Sequence, residues 1–141
     1  MAEQTSGSID IAAPPDAVLA VISDVERYPA WVDSMTSAQV LTSADGRPET
    51  VRMVLDHPVV KDDYVLRYAW EPAVVSWRLV EGRLLKTMDG SYTVEGAGEG
   101  SRVTYRLTVD ANLPMIGMFR RKAEKTIIDG ALRGLKRRVE A

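Results

Sequence analysis

The sequence predicts an α+β domain in which a curved antiparallel sheet wraps around one long C-terminal helix. Three observations predict this class. Short helical segments follow a first strand and end near Pro29. Runs with the two-residue period of strands fill the middle of the chain, and the stretch from Pro114 to Ala141 has the period of an amphipathic helix. A sheet and a helix of this kind bury their apolar faces against each other.

The composition is that of one globular domain, which we assign to residues 1–141. The 141 residues include 18 Lys plus Arg, 20 Asp plus Glu and 45% hydrophobic residues, which argues against disorder. We expect disorder only in residues 1–7. The net charge of −2 does not suggest nucleic acid as a partner. The absence of cysteine, of a basic N-terminal leader and of a long apolar run predicts a cytoplasmic protein with no transmembrane segment.

The N-terminal elements are a strand, Ser8–Ala12, and two short helices. Two prolines precede the first helix, in which the apolar residues of 17–22 recur at spacings of three and four. Asp24 is a candidate cap for the second helix. That helix continues through Tyr28, and we expect Pro29 to break it.

Six further strands are predicted from alternating runs separated by glycine- and proline-containing turns. Alternation places Arg52 and Arg78 on one face and Met53 and Trp77 on the other, so one face is wet and the other meets the helix. The six runs are residues 37–42, 50–56, 62–70, 74–80, 84–94 and 102–110.

The run 84–94 does not alternate cleanly. Lys86 and Met88 share a parity with Gly90, and a bulge at this glycine would exchange the two faces. The inward or outward direction of Lys86, Asp89 and Ser91 is therefore left open.

The final helix combines an apolar stripe with a strongly basic remainder. From Leu113 onward there are eight bases and three acids, a local charge of +5, whereas the preceding residues carry −7. One interpretation is a solvated helix face drawn to an acidic sheet. The alternative is weak contact with an anionic membrane surface or an acidic partner. The stripe consists of Phe119, Ala123, Ile127, Ala131, Leu135 and Val139.

These segments together resemble the START-like (SRPBCC) helix-grip superfamily. The resemblance rests on the segments Asp24-Val-Glu-Arg-Tyr-Pro-Ala-Trp31, Val75-Ser-Trp-Arg-Leu-Val-Glu-Gly82 and Asp89-Gly-Ser-Tyr92 and on the basic last helix. That superfamily includes polyketide cyclase/dehydrases, coenzyme Q-binding proteins and the Bet v 1-like allergen fold. The resemblance extends from about Ser8 to Glu140 and implies about seven strands gripping the last helix around a hydrophobic cavity. It is specific for fold and weak for activity, because one pocket serves binding, transport and catalysis.

A cavity of this kind predicts binding of an apolar or aromatic small molecule that is polyketide-, quinone- or lipid-like. Trp31 is singled out because the short helices form one end of the cavity in the fold that the chain resembles. The alternative is that the aromatic residues simply fill the core. The expected ligand contacts are Trp31, Met53, Leu55, Tyr64, Leu66, Tyr68, Trp70, Trp77, Leu79, Tyr92, Tyr105, Leu107, Phe119, Ala123 and Ile127.

The sequence offers little catalytic machinery, so we expect a binding protein, a monomer or weak dimer, rather than an enzyme. His57 is the sole histidine and lies at a predicted turn, where we expect it to be solvated. Without cysteine and with one histidine, no metal site is predicted. The sequence has no phosphate-binding glycine loop, so no nucleotide cofactor is predicted. The alternative is a polyketide cyclase/dehydratase, for which Tyr68, Lys86 and Asp89 are the candidate catalytic groups.

Overall fold

The structure has the predicted α+β architecture, with a seven-stranded antiparallel sheet curved around a long C-terminal helix. The computed structural model describes residues 4–58, 61–111 and 117–141, without the side chains of residues 117–119. The strands are β1 (Thr5–Ile11), β2 (Met35–Ala44), β3 (Arg47–Asp56), β4 (Lys61–Trp70), β5 (Val74–Gly82), β6 (Leu85–Ala97) and β7 (Gly100–Ala111). The helices are α1 (Pro15–Ser23), a 3₁₀ helix (Val25–Ala30) and α2 (Gly117–Glu140).

The sheet is a meander with its first strand attached at the far side. Strands β2 to β7 pair with their neighbours in chain order, and β1 pairs antiparallel with β7. Alternation holds along β3 and β4, so that Met53 and Tyr64 are buried while Arg52 and Arg67 are exposed. The inner face of the sheet and the three helices therefore enclose one apolar core.

The N-terminal elements differ from the sequence prediction in three details. Strand β1 begins at Thr5, because residues 5–7 pair with β7 rather than remaining disordered. Asp24 stands at the start of the 3₁₀ helix, but its side chain makes no capping hydrogen bond. Pro29 lies within that helix instead of ending it, since the fixed φ of proline is compatible with helical backbone.

Strand β6 contains the predicted bulge, but not at Gly90. Its pairing with β7 slips between Leu85 and Thr87, and from Met88 onward the alternation is regular. Gly90 faces inward for a different reason. A Cβ built there would lie 2.7 Å from the Trp77 Cζ2 atom and 2.7 Å from the Arg106 carbonyl oxygen. The glycine therefore lets the indole lie directly on the strand backbone.

Helix α2 packs on β1 and β7 and is tied to both by Glu124. This carboxylate is fully buried, accepts a hydrogen bond of 2.6 Å from the Thr5 hydroxyl and another of 2.6 Å from the Val109 N–H. A buried carboxylate is stable only when hydrogen bonds replace its water. The contact fixes the height of the helix above the sheet and leaves its Ile127 side facing the core.

His57 is buried rather than solvated. Only 6% of its surface is exposed, just after the end of β3. Desolvation lowers its pKa from the usual value of a histidine, because burial disfavours the charged ring.

Candidate functional site

The candidate site is a small, partly enclosed cavity between the inner face of the sheet, the 3₁₀ helix and α2. Its free volume is about 50 Å³, which is enough to hold water. Its described lining consists of Tyr28, Val32, Met35, Met53, Leu55, Tyr64, Leu66, Tyr68, Trp77, Met88, Tyr92, Tyr105, Ile127 and Ala131.

One wall of the cavity is a continuous cluster of aromatic rings. The rings of Tyr92 and Tyr105 are 4.6 Å apart, and Trp77 lies 5.4 Å from the first and 5.6 Å from the second. Tyr68 follows at 5.7 Å from Trp77. These centroid distances and tilted ring planes are those of favourable aromatic contact. The ring of a flat ligand could make the same kind of contact with this cluster as the protein rings make with one another.

The hydroxyl groups of the cavity tyrosines are largely without protein acceptors. Tyr28 donates to the Ile22 carbonyl oxygen at 2.5 Å and lies within hydrogen-bonding reach of Tyr68. In contrast, the phenols of Tyr64, Tyr92 and Tyr105 make no hydrogen bond to any described residue. Their oxygens are not among the fully buried, unpaired side-chain atoms of the described residues, so they reach the space of the cavity and are available to a guest.

All five cavity tyrosines are held in their neutral form. Burial is the largest cause that raises the pKa of Tyr28, Tyr64, Tyr68, Tyr92 and Tyr105 above the ordinary value of 10.0. A phenolate would lose its hydration in this apolar setting. At neutral pH the cavity therefore presents hydrogen-bond donors and no charge from these residues.

Asp62 lies close enough to Tyr64 to help raise the pKa of that phenol, but its own carboxylate is fully used in hydrogen bonds to the backbone. It lies on the face of β4 that carries Tyr64 and is 7% exposed. Its carboxylate accepts the backbone N–H groups of Asp63, Arg83, Leu84 and Leu85 at 2.8–3.1 Å. Asp62 thus closes the β5–β6 turn rather than serving a ligand.

Most residues that the sequence predicted to contact a ligand do line the cavity. The inward parity of β3, β4, β5, β6 and β7 brings them together, and α2 adds one more residue. They are Met53, Leu55, Tyr64, Leu66, Tyr68, Trp77, Tyr92, Tyr105 and Ile127.

The other predicted contacts lie elsewhere. Trp31 is buried against α2, where a Cβ on Gly134 would clash with its carbonyl oxygen. Leu107 and Ala123 are also fully buried without lining the cavity. Trp70 and Leu79 are only partly buried and are absent from its described lining. The side chain of Phe119 lies outside the described residues.

Five residues that line the cavity were not among the ligand contacts predicted from the sequence. Tyr28 and Val32 come from the 3₁₀ helix and the turn after it, Met35 from the first residue of β2, and Met88 and Ala131 from β6 and α2. Ala131 belonged to the predicted apolar stripe of α2. Met88 was not predicted because the sequence does not show where the bulge in β6 lies.

The three candidate catalytic groups are not brought together. Tyr68 lines the cavity, but Lys86 is exposed and Asp89 lies on the outer face. The slip in pairing at Leu85–Thr87 restores the outward parity of Asp89. Its carboxylate accepts the Leu79 N–H at 3.0 Å. The acid/base pair suggested by the sequence therefore does not form in the cavity.

The described part of the chain has no cluster of three metal-ligating side chains. No described helix is long and apolar enough to cross a membrane.

Comparison with known proteins places the chain among proteins of the same fold. The family model described as "Polyketide cyclase / dehydrase and lipid transport" matches residues 2–140. A START superfamily protein from Mycobacterium smegmatis superposes with a TM-score of 0.91 at 20% identity, covering 99% of this chain and 98% of the other. The Zhui aromatase/cyclase from Streptomyces sp. R1128 gives 0.77 at 17% identity, with coverages of 98% and 93%.

A two-domain protein shows the same fold. The di-domain aromatase/cyclase BexL from the BE-7585A biosynthetic pathway superposes with a TM-score of 0.78 at 19% identity, covering 99% of this chain and 47% of the other. No curated protein matches the sequence.

Proposed function

We propose, for a chain that belongs to the polyketide cyclase/dehydrase and lipid transport family, that it binds a flat aromatic molecule bearing acceptor oxygens. The observation that carries the proposal is the set of inward hydroxyls on Tyr64, Tyr92 and Tyr105, which no described residue accepts. These oxygens reach accessible space, since the fully buried side-chain atoms without a partner among the described residues are Trp31 Nε1 and Arg120 Nε. A carbonyl or phenol oxygen on a ligand can accept hydrogen bonds from them, whereas a hydrocarbon chain that covered them would leave each donor unpaired at a cost of about 1–3 kcal/mol.

The cavity must widen to hold such a ligand. Its volume of about 50 Å³ is well below the roughly 150 Å³ of a cavity that takes up benzene. Met35, Met53 and Met88 line it, and methionine side chains re-pack at low cost because they are unbranched and flexible. These side chains support adaptation around a ring.

Two structural neighbours have the words aromatase/cyclase in their names, and this supports an aromatic or polyketide-like ligand here. A cyclase or dehydratase activity has weaker support, since only Tyr68 of its three candidate groups lines the cavity. We therefore place binding ahead of catalysis.

The test compares two ligands of the same shape by titration calorimetry, naphthoquinone and naphthalene. We expect the quinone to bind more tightly. Replacing Tyr92→Phe and Tyr105→Phe should weaken the quinone by about tenfold, with little effect on naphthalene, because two hydrogen bonds of roughly 0.5–1.5 kcal/mol each are lost. Arg106→Gln, exposed on the outer face of the sheet, is the control. Equal affinity for both compounds, or preference for a long-chain fatty acid, would contradict the proposal.

A second candidate function is contact with an anionic lipid surface through α2. Its exposed bases are incompletely neutralised: Lys125 pairs with Asp129 at 3.1 Å, whereas Arg137 and Arg138 form no ion pair with a described carboxylate. Clustered bases attract anionic headgroups within about a Debye length.

Vesicle sedimentation tests this second candidate. Vesicles containing phosphatidylserine should bind more protein than neutral phosphatidylcholine vesicles, and salt should release it. Arg137→Ala with Arg138→Ala should reduce the binding, and Arg78→Ala with Arg106→Ala, the same charge change on the outer sheet face, should not. An equal loss of vesicle binding in both double variants would mean that binding depends on net charge and not on the position of these arginines.

A further inference from the structure

A surface groove lies directly behind one wall of the cavity. The groove has a volume of about 310 Å³ and runs beside the β2–β3 hairpin at the end of β4. Tyr68 lines both the groove and the cavity. The two spaces therefore meet at this residue. The remaining described lining of the groove is Ala44, Asp45, Arg47, Pro48, Glu49 and Trp70.

The aromatic cluster of the cavity continues through this wall to the surface. Tyr68 stacks on Trp70 with a centroid distance of 5.5 Å and an interplanar angle of 16°, and on its other side it contacts Trp77 at 5.7 Å. The Trp70 indole N–H donates to the Pro48 carbonyl oxygen at 2.6 Å, so the hairpin holds the ring in place. A flat ligand would find aromatic surface along the whole path.

The hairpin that holds Trp70 is itself well defined. Asp45 and Gly46 have φ values of 54° and 76°, which are those of a tight two-residue turn between antiparallel strands. The outer wall of the groove is therefore built from a paired turn.

The described lining of the groove carries two acids, Asp45 and Glu49, and one cation, Arg47, that forms no ion pair with either of them. The Arg47 guanidinium lies 5.6 Å from the centre of the Trp70 ring, within reach of a cation–π interaction. It forms no ion pair with a described carboxylate, whereas Glu49 pairs with Arg67 at 3.9 Å and accepts the Thr42 hydroxyl at 3.1 Å. Arg47 is thus free to meet an anionic group on a ligand.

We propose that this groove is the outer half of the ligand site and that displacement of the Tyr68 ring joins it to the cavity. The inference rests on the proposed function and narrows its ligand to an elongated aromatic molecule with an anionic end. The apolar end lies against Trp77, the middle stacks on Trp70 and the anionic group meets Arg47. Joining the two spaces also removes the volume shortage, because the cavity alone is too small for a ring.

Two fluorescent probes of nearly the same shape test this inference: anilinonaphthalene sulfonate, which is anionic, and N-phenylnaphthylamine, which is uncharged. In Arg47→Gln we expect the Kd of the anionic probe to rise about fivefold, as for loss of a partly exposed charge pair. The uncharged probe should bind as before. Arg106→Gln is the control, because this arginine is exposed on the outer face.

The aromatic path is tested with a second variant. Trp70→Leu should weaken both probes by about tenfold, because each loses a stacking surface, and Trp70→Phe should restore part of that loss. Fluorotyrosine NMR should show the Tyr68 signal moving when the anionic probe binds. Circular dichroism of each variant confirms that the chain is folded.

The outcomes separate the two proposals. If both probes bind but neither groove variant alters them, the groove inference is wrong and cavity binding stands. If neither probe binds the unmodified protein, the proposed function fails and the inference fails with it. Tighter binding of a naphthyl trimethylammonium cation than of the sulfonate would overturn the anionic ligand class.

Discussion

Polar side chains have different hydrogen-bonding environments on the two faces of the sheet. On the outer face, Arg52 donates to Asp63 at 2.5 and 2.8 Å, and Arg102 donates to Asp10 at 3.1 Å. On the inner face, the hydroxyls of Tyr92 and Tyr105 point into an apolar cavity with no described acceptor. The outer groups pair with one another, whereas the inner hydroxyls reach the cavity without an acceptor among the described residues.

This difference indicates where stability and function reside. Exposed ion pairs gain little over hydration, so the outer face tolerates change. The inner polar groups differ: Asp62 is fully bonded, the hydroxyls of Tyr92 and Tyr105 reach the cavity, and the Trp31 indole N–H is buried without a partner outside the cavity lining. The tyrosine hydroxyls that reach the cavity are accessible donors without an acceptor among the described residues, which is why we assign them to binding.

The largest expected difference between the two faces is in how their side chains affect the unfolding free energy at alkaline pH. The five cavity tyrosines have pKa values raised above 10.0 by burial, so the unfolded chain loses phenolic protons before the folded one. Their contribution to stability is complete below about pH 9 and is lost as pH rises above about 10. Each tyrosine should lower the unfolding free energy by about 1.4 kcal/mol per pH unit there.

Urea unfolding at a series of alkaline pH values measures this slope. Tyrosinate absorbance should appear together with unfolding and not before it. Tyr105→Phe should reduce the slope of unfolding free energy against pH by the contribution of one titrating group, about 1.4 kcal/mol per pH unit. Ionisation of all five phenols near pH 10 in the folded protein would show that the cavity is open to water.

The next largest effect is expected at the buried carboxylate of the inner face. Asp62→Ala removes the acceptor of four backbone N–H groups and should lower the unfolding free energy by about 3 kcal/mol. Asp62→Asn keeps one oxygen and should lose less. Chemical denaturation of both variants measures the difference. A loss no larger than that of an exposed acid would refute the structural role of Asp62.

A smaller loss is expected where the inner face is tightest. Gly90→Ala places a methyl group 2.7 Å from the Trp77 ring and from the Arg106 carbonyl oxygen, which should cost about 2 kcal/mol by overpacking. It should also push the indole into the cavity and weaken ligand binding. Gly96→Ala is the matched control, because its nearest neighbour would be Pro15 Cγ at 3.9 Å. Equal melting temperatures for the two variants would contradict this packing.

The smallest effect is expected on the outer face. Arg52→Gln breaks the bonds to Asp63, but the arginine is solvent-exposed. Its unfolding free energy should match that of the unmodified protein within error, and any difference should shrink with added salt. A loss as large as that of Asp62→Ala would mean that the two faces do not differ as we describe.

The inner residues of the regular strands could be predicted from alternation alone. Met53, Tyr64 and Trp77 were predicted to face inward and are buried. Alternation failed at β6, because a bulge is a property of two paired strands and the slip at Leu85–Thr87 depends on β7. It could not place Trp31 either, whose position depends on Gly134 in a helix about a hundred residues later.

The sequence by itself determined the α+β class, the order of elements and the wet and dry faces of most strands, because these follow from local periodicity and turn residues. Only the tertiary structure decided which aromatic residues share a cavity, that Tyr28 and Met88 join it, and that Lys86 and Asp89 face away from it. These features depend on register and on helix position. Both are set by contacts between distant segments, such as Glu124 with Thr5 and Val109, which no local pattern encodes.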